Sequence, residues 1–493
     1  MPNLNDAAIA ANRFGFGARP GELAQISGDP RGWVKAQFQL EAPLPAQIAA
    51  LPAGEDDLLA FGRWLIARKA QNANQTRLAA QASMNAPMSD RDAAMVSVEQ
   101  DFIQTFRARQ AAAIDARLNA ALASDTPARE RAVHFWSNHF TISSLKAPAV
   151  ALPQSFEREA IRPHVAGAFA DMLLASSKHP GMLVYLDNWQ SIGPHSQLAQ
   201  EPRRYRRLQG LRTASGLNEN LAREIMELHT LSVRGGYSQA DVQALAALIT
   251  GWSFNRPTLA DFMSAEPATR SAAELFRFVD EAHEPGPKTL LSRVYHQGGV
   301  AEGEQALRDL AHHPSTAHFI ATKLARHYIA DDPPEPAVTR IAAAFTRHDG
   351  DLRATMNAVV DCDEVWADPF AKFKRPEEYV ISVLRAGGVT DVPPGVGAGA
   401  IALMGEKVYA APGPNGWSDS AEDWLTGDLV WKRIEFAQRL SQRLARADIS
   451  PVDVGDAALG PLLSADTRQA VQRADSPAQG LAILFASPEF QRR

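Results

Sequence analysis

Residues 218–231 bring acidic and imidazole side chains together in a segment that otherwise has the pattern of a buried helix. Glu224 and Glu227 are three residues apart, so a helix places both carboxylates on one edge, where they could bind one cation or share one proton. Relative to the apolar face that Leu228 helps to define, Glu224 falls on the apolar side and His229 on the opposite edge. The segment therefore predicts half of a functional site, which another element must complete.

A preceding helix is the best source of the other half. Thr126 and Pro127 predict its start, because threonine is a favourable N-cap and proline suits the first turn. His139 then falls on the apolar, core-facing stripe, whereas His134 and Asn138 fall on the other side. A histidine on that stripe is either a neutral, hydrogen-bonded core residue or a metal ligand or base, and the sequence leaves both readings open.

Three other places present polar or aromatic groups where the chain turns. Asp187 and Asn188 end an apolar run, so they could project into a cleft or cap the next turn. His283 and Lys288 lie in a turn rich in proline and glycine, a setting in which functional groups are often presented. Trp417 ends another irregular segment and is a candidate for the lining of a pocket.

Carboxylates and imidazoles together suit zinc, iron or manganese as a bound metal. Ligands of one ion should lie within roughly 8 Å of one point, since metal bonds are about 2 Å long. The predicted ligands are His139, Asp187, Glu224, Glu227, His229 and His283. The predicted acid and base groups are His139, Glu224 and Glu227. The predicted supporting residues are Asn138, Asn188, Asn220, Arg223, Lys288 and Trp417.

Two alternatives to a metal site remain open. A metal-free acid/base site could use a glutamate whose pKa is raised by burial. The glutamates could instead be structural and pair with arginines such as Arg162 and Arg223, since a buried carboxylate is costly unless it is paired. The sequence contains no dinucleotide-binding, phosphate-loop, HExxH or nucleophile-elbow motif that would favour a known reaction.

The bulk composition excludes several classes of protein. The formal net charge of −6 supplies no overall basic field for nucleic acid or an anionic membrane. The single cysteine, Cys362, excludes an intrachain disulfide framework and a cysteine-based zinc site. No secretory signal peptide and no apolar run of roughly 18 residues is visible, so a soluble, cytoplasmic protein is expected. The one basic cluster comprises Arg203, Arg204, Arg206, Arg207 and Arg212.

Helical patterns predict a mainly α protein, a single large multi-helix domain over residues 1–493 with long irregular loops and little or no sheet. Residues 56–122 are rich in helix formers and predict a helical pair. Residues 126–330 form the motif-bearing core, and residues 337–493 predict C-terminal helices. Residues 238–241 have the spacing of a capping box that begins a helix.

The chain resembles the bacterial family catalogued as domain of unknown function 1800, and the resemblance spans nearly its whole length. The matching stretches are NRFGFG (12–17), HFWSNHF (134–140), HPGMLVYLDN (179–188), NENLAREIMELHTL (218–231), GW (251–252), HEPGPK (283–288) and GW (416–417). The resemblance implies no particular reaction. It implies a partner from a second family, domain of unknown function 1501, which resembles sulfatases and alkaline phosphatases. Many members look exported, so export with such a partner is the alternative to a cytoplasmic location.

Three functional hypotheses follow. The first is a metal-dependent enzyme, either a hydrolase or an oxidoreductase. The second is a non-catalytic partner or assembly protein for a neighbouring phosphatase- or sulfatase-like protein. The third is polyanion binding through the arginine loop at 203–212, although nucleic acid is not the expected ligand because aromatic residues are scarce there.

Overall fold

Helices make up nearly all of the regular structure, as the composition and periodicity predict. The computed structural model describes residues 3–39, 41–59, 61–62, 90–146, 149–204, 216–255, 275–445 and 449–493. Within these ranges the strands form only two small sheets, so the prediction of a mainly α protein with little sheet is confirmed. One continuous hydrophobic core contains residues from Ala7 to Phe490, which is the packing of a single domain.

The helices of the first 200 residues are mostly short, apart from α5 and α6. They are α1 (Leu4–Ile9), α2 (Glu22–Ile26), α3 (Pro30–Lys35), α4 (Ala46–Ala49), α5 (Asp90–Ala123), α6 (Pro127–His139), α7 (Pro153–Phe156), α8 (Phe169–Lys178), α9 (Pro180–Tyr185) and α10 (Gln197–Gln200). One arm of the predicted helical pair is α5. Residues 56–59 and 61–62 are helical as well, and residues 60 and 63–89 of that pair lie outside the described residues.

The remaining helices are longer on average. They are α11 (Asn220–Glu224), α12 (Gln239–Leu248), α13 (Val300–Ala311), α14 (Pro314–Tyr328), α15 (Glu335–Arg347), α16 (Leu352–Asp361), α17 (Glu364–Ala367), α18 (Pro376–Ala386), α19 (Val396–Leu403), α20 (Gly427–Leu444), α21 (Pro451–Leu459), α22 (Ala465–Gln472), α23 (Pro477–Ala486) and α24 (Pro488–Gln491). The predicted C-terminal helices are therefore present.

Several segments leave the α pattern. Within the described ranges three of them form π turns, in which an N–H bonds the carbonyl five residues back, and such turns are frequent at functional sites. The π turns are Ala10–Phe14, Glu157–Ile161 and Ile225–His229. The 3₁₀ turns are Arg162–His164, Asn188–Gln190, Asp280–Ala282, Ala421–Asp423 and Gly460–Leu462. The π turn Ile225–His229 continues α11 through the segment that carries the candidate carboxylates and histidine.

The two small sheets are antiparallel pairs of three-residue strands. In the first, β1 (Trp252–Phe254) pairs with β2 (Phe276–Phe278). In the second, β3 (Lys288–Leu290) pairs with β4 (Arg293–Tyr295), and the two-residue turn between them has positive φ at both positions. That conformation is typical of a type I′ hairpin turn, whose twist suits short strands.

Several helices begin with a side-chain cap, whereas Thr126 stands at the predicted N-cap position of α6 without donating or accepting a capping hydrogen bond through its side chain. The predicted capping box is confirmed, since the Ser238 hydroxyl accepts the Asp241 N–H at 3.3 Å and the Asp241 carboxylate accepts the Ser238 N–H at 2.8 Å. Helices α9 and α14 both begin with a His-Pro pair. There the Nδ1 atoms of His179 and His313 accept backbone N–H groups at 3.0 and 3.1 Å, so these imidazoles act as N-caps.

Helix α6 lies in the middle of the fold, and residues 127–136 are all buried. It contacts the π turn Glu157–Ile161 on one side and the π turn Ala10–Phe14 on another. A helix surrounded in this way presents every face to protein, so its polar side chains need protein partners. Among the described helices, none combines the length and apolar character that crossing a membrane requires.

Candidate functional site

The burial of α6 corrects the expectation that one of its sides faces away from the core. His134 is only 3% exposed, as deeply placed as His139 at 2%. Asn138 is half-buried and fixes the loop before α20. Its side-chain amide donates to the Trp417 carbonyl at 2.8 Å, and its oxygen accepts the Trp417 N–H at 2.7 Å. The helical wheel was wrong about His134 because other elements enclose residues 127–136 of the helix on every side.

The buried face of the 220–229 helix is also different from the predicted one. Leu221 and Met226 are fully buried and His229 is 1% exposed, whereas Glu224 and Leu228 are half-buried. The buried face of this helix is therefore rotated about the helix axis by roughly a fifth of a turn from the predicted face, which was defined by Leu221 and Leu228. This rotation brings the histidine into the core and moves the glutamates towards solvent.

His139 and His229 meet inside the core. Their ring centroids are 6.1 Å apart, and His139 Nε2 lies 3.1 Å from the His229 carbonyl oxygen. Burial lowers the pKa of both imidazoles, and the charge of Lys323 on α14 lowers it further, to about 3 for His229 and well below the usual value for His139. Both side chains are neutral at neutral pH, since each pKa lies far below 7.

The hydrogen bond fixes the tautomer of His139. A carbonyl oxygen only accepts, so His139 Nε2 carries the proton and Nδ1 carries the lone pair. This Nδ1 is buried and has no hydrogen-bond partner among the described residues, and the same is true of His229 Nδ1. An imidazole held by a carbonyl through one nitrogen and left with a lone pair on the other is typical of a metal ligand or a base.

Glu224 and Glu227 form a separate, half-buried group. Burial raises the pKa of Glu224, and the neighbouring Glu227 raises it further, whereas Arg223 opposes the shift. Arg223 pairs with Glu227 at 3.3 Å and with Glu219 at 3.0 Å. Burial and a hydrogen bond to Glu227 raise the pKa of Tyr237 to about 12. Arg223 thus holds one of the two glutamates in a structural ion pair, as one of the sequence alternatives expects.

Asp187 and Asn188 have structural partners at the end of α9. Asp187 adopts a left-handed conformation, with φ of 60°, and pairs with Lys146 Nζ at 2.5 Å. The amide of Asn188 donates to the Ile249 carbonyl at 3.1 Å and is fully buried. Both residues therefore fasten the turn after α9 to neighbouring segments.

His283 and Lys288 lie in another buried group with Glu302 on α13. Lys288 Nζ is 2.8 Å from Glu302 Oε1, and the same oxygen contacts His283 Nε2. His283 Nδ1 lies 2.9 Å from the Thr250 carbonyl. The loop that carries His283 is therefore anchored in the protein and not solvated.

The structure does not bring the six predicted metal ligands to one point. Across the part of the chain that is described, no three histidine, cysteine, aspartate or glutamate side chains form a group that could hold a metal ion. His139 and His229 come together, as do Glu224 and Glu227. Asn220 is exposed at the start of α11. The physical reason is the rotated helix face, which separates the histidines from the carboxylates.

Sequence reasoning missed a second polar site on the other side of α6. A cavity of about 40 Å³ lies there, large enough for a few water molecules. The charged, polar and aromatic residues of its lining are Arg117, His134, Ser137, Asn138, Thr141, Arg375, Glu377, Glu406, Tyr409 and Trp417. Two members of that set, Asn138 and Trp417, were predicted as supporting residues, although for a different site.

Glu377, at the start of α18, is the centre of the ion pairs in this cavity. Arg117 on α5 donates to its carboxylate through Nε at 2.8 Å and through Nη2 at 3.2 Å, and His134 Nδ1 lies 3.4 Å away. Burial alone would raise the pKa of Glu377, but Arg117 and His134 hold it well below the usual value. Arg117 also pairs with Glu157, which Arg162 bonds at 3.0 Å. Glu377, Arg117, Glu157 and Arg162 thus form one buried ionic chain, which Arg162 extends to Glu130.

The contact with Glu377 fixes the tautomer of His134. Because a carboxylate only accepts, His134 Nδ1 carries the proton and Nε2 carries the lone pair. That Nε2 is buried without a hydrogen-bond partner in the described ranges, and so is Nε of Arg375. Burial and the charge of Arg117 lower the pKa of His134 to about 4. Two residues of the lining, His134 and Arg375, thus each have one buried polar atom without a partner.

Glu406 differs from Glu377 in its charge state. Burial raises its pKa to about 7; Glu377 adds to this shift, whereas Arg375 opposes it. One oxygen accepts the Glu377 N–H at 2.9 Å, and the other lies 3.5 Å from Arg375 Nη2. Two buried carboxylates, one ionised and one close to half-protonated at neutral pH, have the division of roles found in acid/base sites.

One local signal could have indicated this cavity. Residues 375–378 read Arg-Pro-Glu-Glu immediately before an apolar helix. Charged residues that open a buried helix must meet opposite charges elsewhere. The identity of those partners is not available from spacing, because Arg117 is 260 residues from Glu377.

The comparisons with known proteins agree with the sequence resemblance. The profile of the family described as protein of unknown function (DUF1800) matches residues 9–492, which include both polar sites. No curated protein and no solved structure matches the chain.

Proposed function

The chain belongs to the DUF1800 family of proteins of unknown function, and we propose that it is a hydrolase whose attacking water is held in the cavity beside α6. The observation that carries the proposal is the pairing, in one small cavity, of Glu406 at a pKa of about 7 with unpartnered polar atoms on His134 and Arg375. A water molecule within hydrogen-bond reach of both atoms would satisfy the donor and the acceptor.

Glu406 is the general base in this proposal. Its pKa near neutrality suits a group that takes a proton from water at neutral pH and returns it to the leaving group. His134 accepts a hydrogen bond at Nε2 and so orients the water. Arg117 and Arg375 supply positive charge at the cavity, where it would stabilise negative charge that develops on the substrate.

The test uses purified protein with nitrophenyl esters, nitrophenyl phosphates and peptide anilides as substrates. Glu406→Gln should lower kcat/KM by about 10²–10⁴-fold, the usual contribution of a general base. Wild-type kcat/KM should rise with pH and level off above about 7, because the base must be deprotonated. The matched control is Glu435→Gln on the exposed face of α20, which should change neither value. Hydrolysis that survives Glu406→Gln unchanged would contradict the proposal.

A second candidate function, a metal-dependent enzyme, is favoured by one specific observation. His139 and His229 each have a buried, unpartnered Nδ1 and are neutral, which is the state in which imidazole binds zinc, iron or manganese. The nearby charge of Lys323 works against a bound cation, so we rank this candidate second. Metal analysis of protein purified without chelators tests it: bound metal should disappear in His139→Ala and persist in His283→Ala.

The other hypotheses remain proposals with their own tests. Association with a domain of unknown function 1501 protein predicts co-purification of the two chains, and fractionation of native cells distinguishes a cytoplasmic location from export with that partner. Polyanion binding depends on the arginine loop, of which residues 205–212 lie outside the described residues. It predicts salt-dependent binding of heparin that is lost when the arginines are replaced.

A further inference from the structure

A second cavity, beside the first turns of α6, supports an inference that goes beyond the proposed hydrolase. Its volume is about 500 Å³, within the range of small-molecule sites, which is roughly 300–1,000 Å³. It lies between the segment before α4, the end of α5 and the first turns of α6. Its charged members are Arg129, Arg158, Arg162, Glu130 and Asp125.

Arg129 supplies a buried positive charge to this cavity. Its side chain is 7% exposed, and Nη1 donates to the Gln39 carbonyl at 2.6 Å. Among the described residues no carboxylate lies within 4.0 Å of it. Burial lowers the pKa of Arg129, and Arg162 lowers it further, although Glu130 opposes the shift. A buried cation without a counterion is costly, so a bound anion would remove an unfavourable term.

Arg158 adds a second cation that is held mainly by carbonyl groups. Its Nη1 donates to the Leu51 carbonyl at 2.7 Å and the Pro52 carbonyl at 3.2 Å. The nearest carboxylate contact is long, 3.9 Å from Nη2 to Glu159. A guanidinium fixed through one nitrogen keeps its other donors available for a planar anion.

The acidic members of the lining do not cancel these charges. Glu130 receives two hydrogen bonds from Arg162 Nη1, both at 2.9 Å, so that pair is neutral. Asp125 is 91% exposed and pairs with Arg19 at 2.7 Å. The electrostatic balance of the cavity is therefore positive.

Most of the uncharged wall is apolar, apart from Gln47, Ser124 and Thr126, and this indicates the body of the ligand. The apolar lining residues are Ala42, Pro43, Leu44, Pro45, Ala120, Ala123, Val133 and Pro163. We propose that this cavity binds an organic carboxylate with an apolar body, whose carboxylate pairs with Arg129 and Arg158 and whose hydrocarbon part contacts these side chains. Neither the residues nor the ligand belong to the hydrolase proposal.

Calorimetric titration of the full chain at low ionic strength tests the proposal with octanoate as the probe. Octan-1-ol has the same apolar body without the charge, and acetate has the charge without the body. Octanoate should bind at least tenfold more tightly than either. Arg129→Gln should weaken octanoate binding at least tenfold, whereas Arg439→Gln, an exposed arginine on α20, should leave it unchanged.

A second variant keeps the test valid if Arg129→Gln fails to fold. Leu44→Asp alters a side chain that is 41% exposed, so it is tolerated by the fold, and it places a negative charge at the mouth of the cavity. It should also weaken octanoate binding at least tenfold. The proposal would be overturned if octan-1-ol or acetate bound as tightly as octanoate. It would also be overturned if both variants bound octanoate as tightly as the wild type does.

Discussion

Replacement of Glu406 by glutamine should stabilise the protein at alkaline pH while it removes the proposed activity. Glutamine has the shape of the protonated carboxyl group and can still accept the Glu377 N–H that now lies at 2.9 Å. It cannot ionise, so it avoids the cost of a buried negative charge; burial is also what raises the pKa of Glu406 to about 7. A residue that weakens the fold in order to hold a proton near neutral pH is typical of a functional site.

The size and pH range of the effect follow from the pKa. In the unfolded chain a glutamate ionises at its ordinary pKa of 4.5, whereas Glu406 ionises at about 7 in the folded protein. Between these values the folded state holds a proton that the unfolded state has released, so wild-type stability falls as pH rises from 4.5 to 7. At about 1.4 kcal/mol for each pH unit, the loss is about 3 kcal/mol above pH 7.

Equilibrium unfolding in urea from pH 5 to pH 8.5 measures this difference. Glu406→Gln should exceed the wild type by less than about 1 kcal/mol at pH 5 and by about 3 kcal/mol at pH 8. Glu435→Gln on α20 should follow the wild type throughout, because Glu435 is exposed. A difference that does not vary with pH, or a variant less stable than the wild type at pH 8, would refute the assigned environment of Glu406.

The remaining predictions concern the other buried groups. His229→Asn should make the protein less sensitive to acid. The pKa of His229 is about 3 in the folded protein and 6.5 in the unfolded chain, so the wild type loses about 5 kcal/mol of folding stability as pH falls through that interval. Denaturation curves at pH 7 and pH 4 provide the check. Arg162→Ala should cost about 3–5 kcal/mol, because it leaves the buried Glu130 without its partner; the fall in urea midpoint measures it, and Arg162→Lys should cost less. Glu302→Gln should lower the free energy of unfolding by a similar amount, because Glu302 is a buried partner of Lys288. Glu227→Gln should lower it by less than about 1 kcal/mol, because Glu227 is only half-buried. Equal thermal shifts for these two variants would contradict the contrast.

Features that depend on neighbouring residues could be predicted from the sequence. The helical class, the start of α6 at Pro127 and the capping box at Ser238 each need only a local pattern of residues. The core position of His139 was also predictable, because the apolar stripe around it is strong. The sequence predicted that His139 lies next to the 218–231 segment, and in the structure its Nε2 contacts the His229 carbonyl.

Features that depend on distant residues could not be predicted. The inward face of the 220–229 helix is set by what packs against it, and Met226 and His229 compete with the leucines for that role. The full burial of α6 conflicts with its many charged residues unless partners such as Glu377 are known. Glu406 lies in a segment without helical or strand periodicity, so no spacing connected it with His134.

The ionic chain beside α6 also determines when the protein can fold. Arg117 and Arg131 belong to the first third of the chain, but their carboxylate partners Glu377 and Glu378 lie 260 and 247 residues further on. A nascent chain that ends before α18 can still pair Arg117 with Glu157, but it cannot bury Arg131 without leaving that charge unpaired. The N-terminal helices therefore acquire their final packing only after α18 is available, which makes folding late, cooperative and dependent on long-range closure. Fragments that lack α18 should be rapidly degraded by proteases, and the intact chain should not.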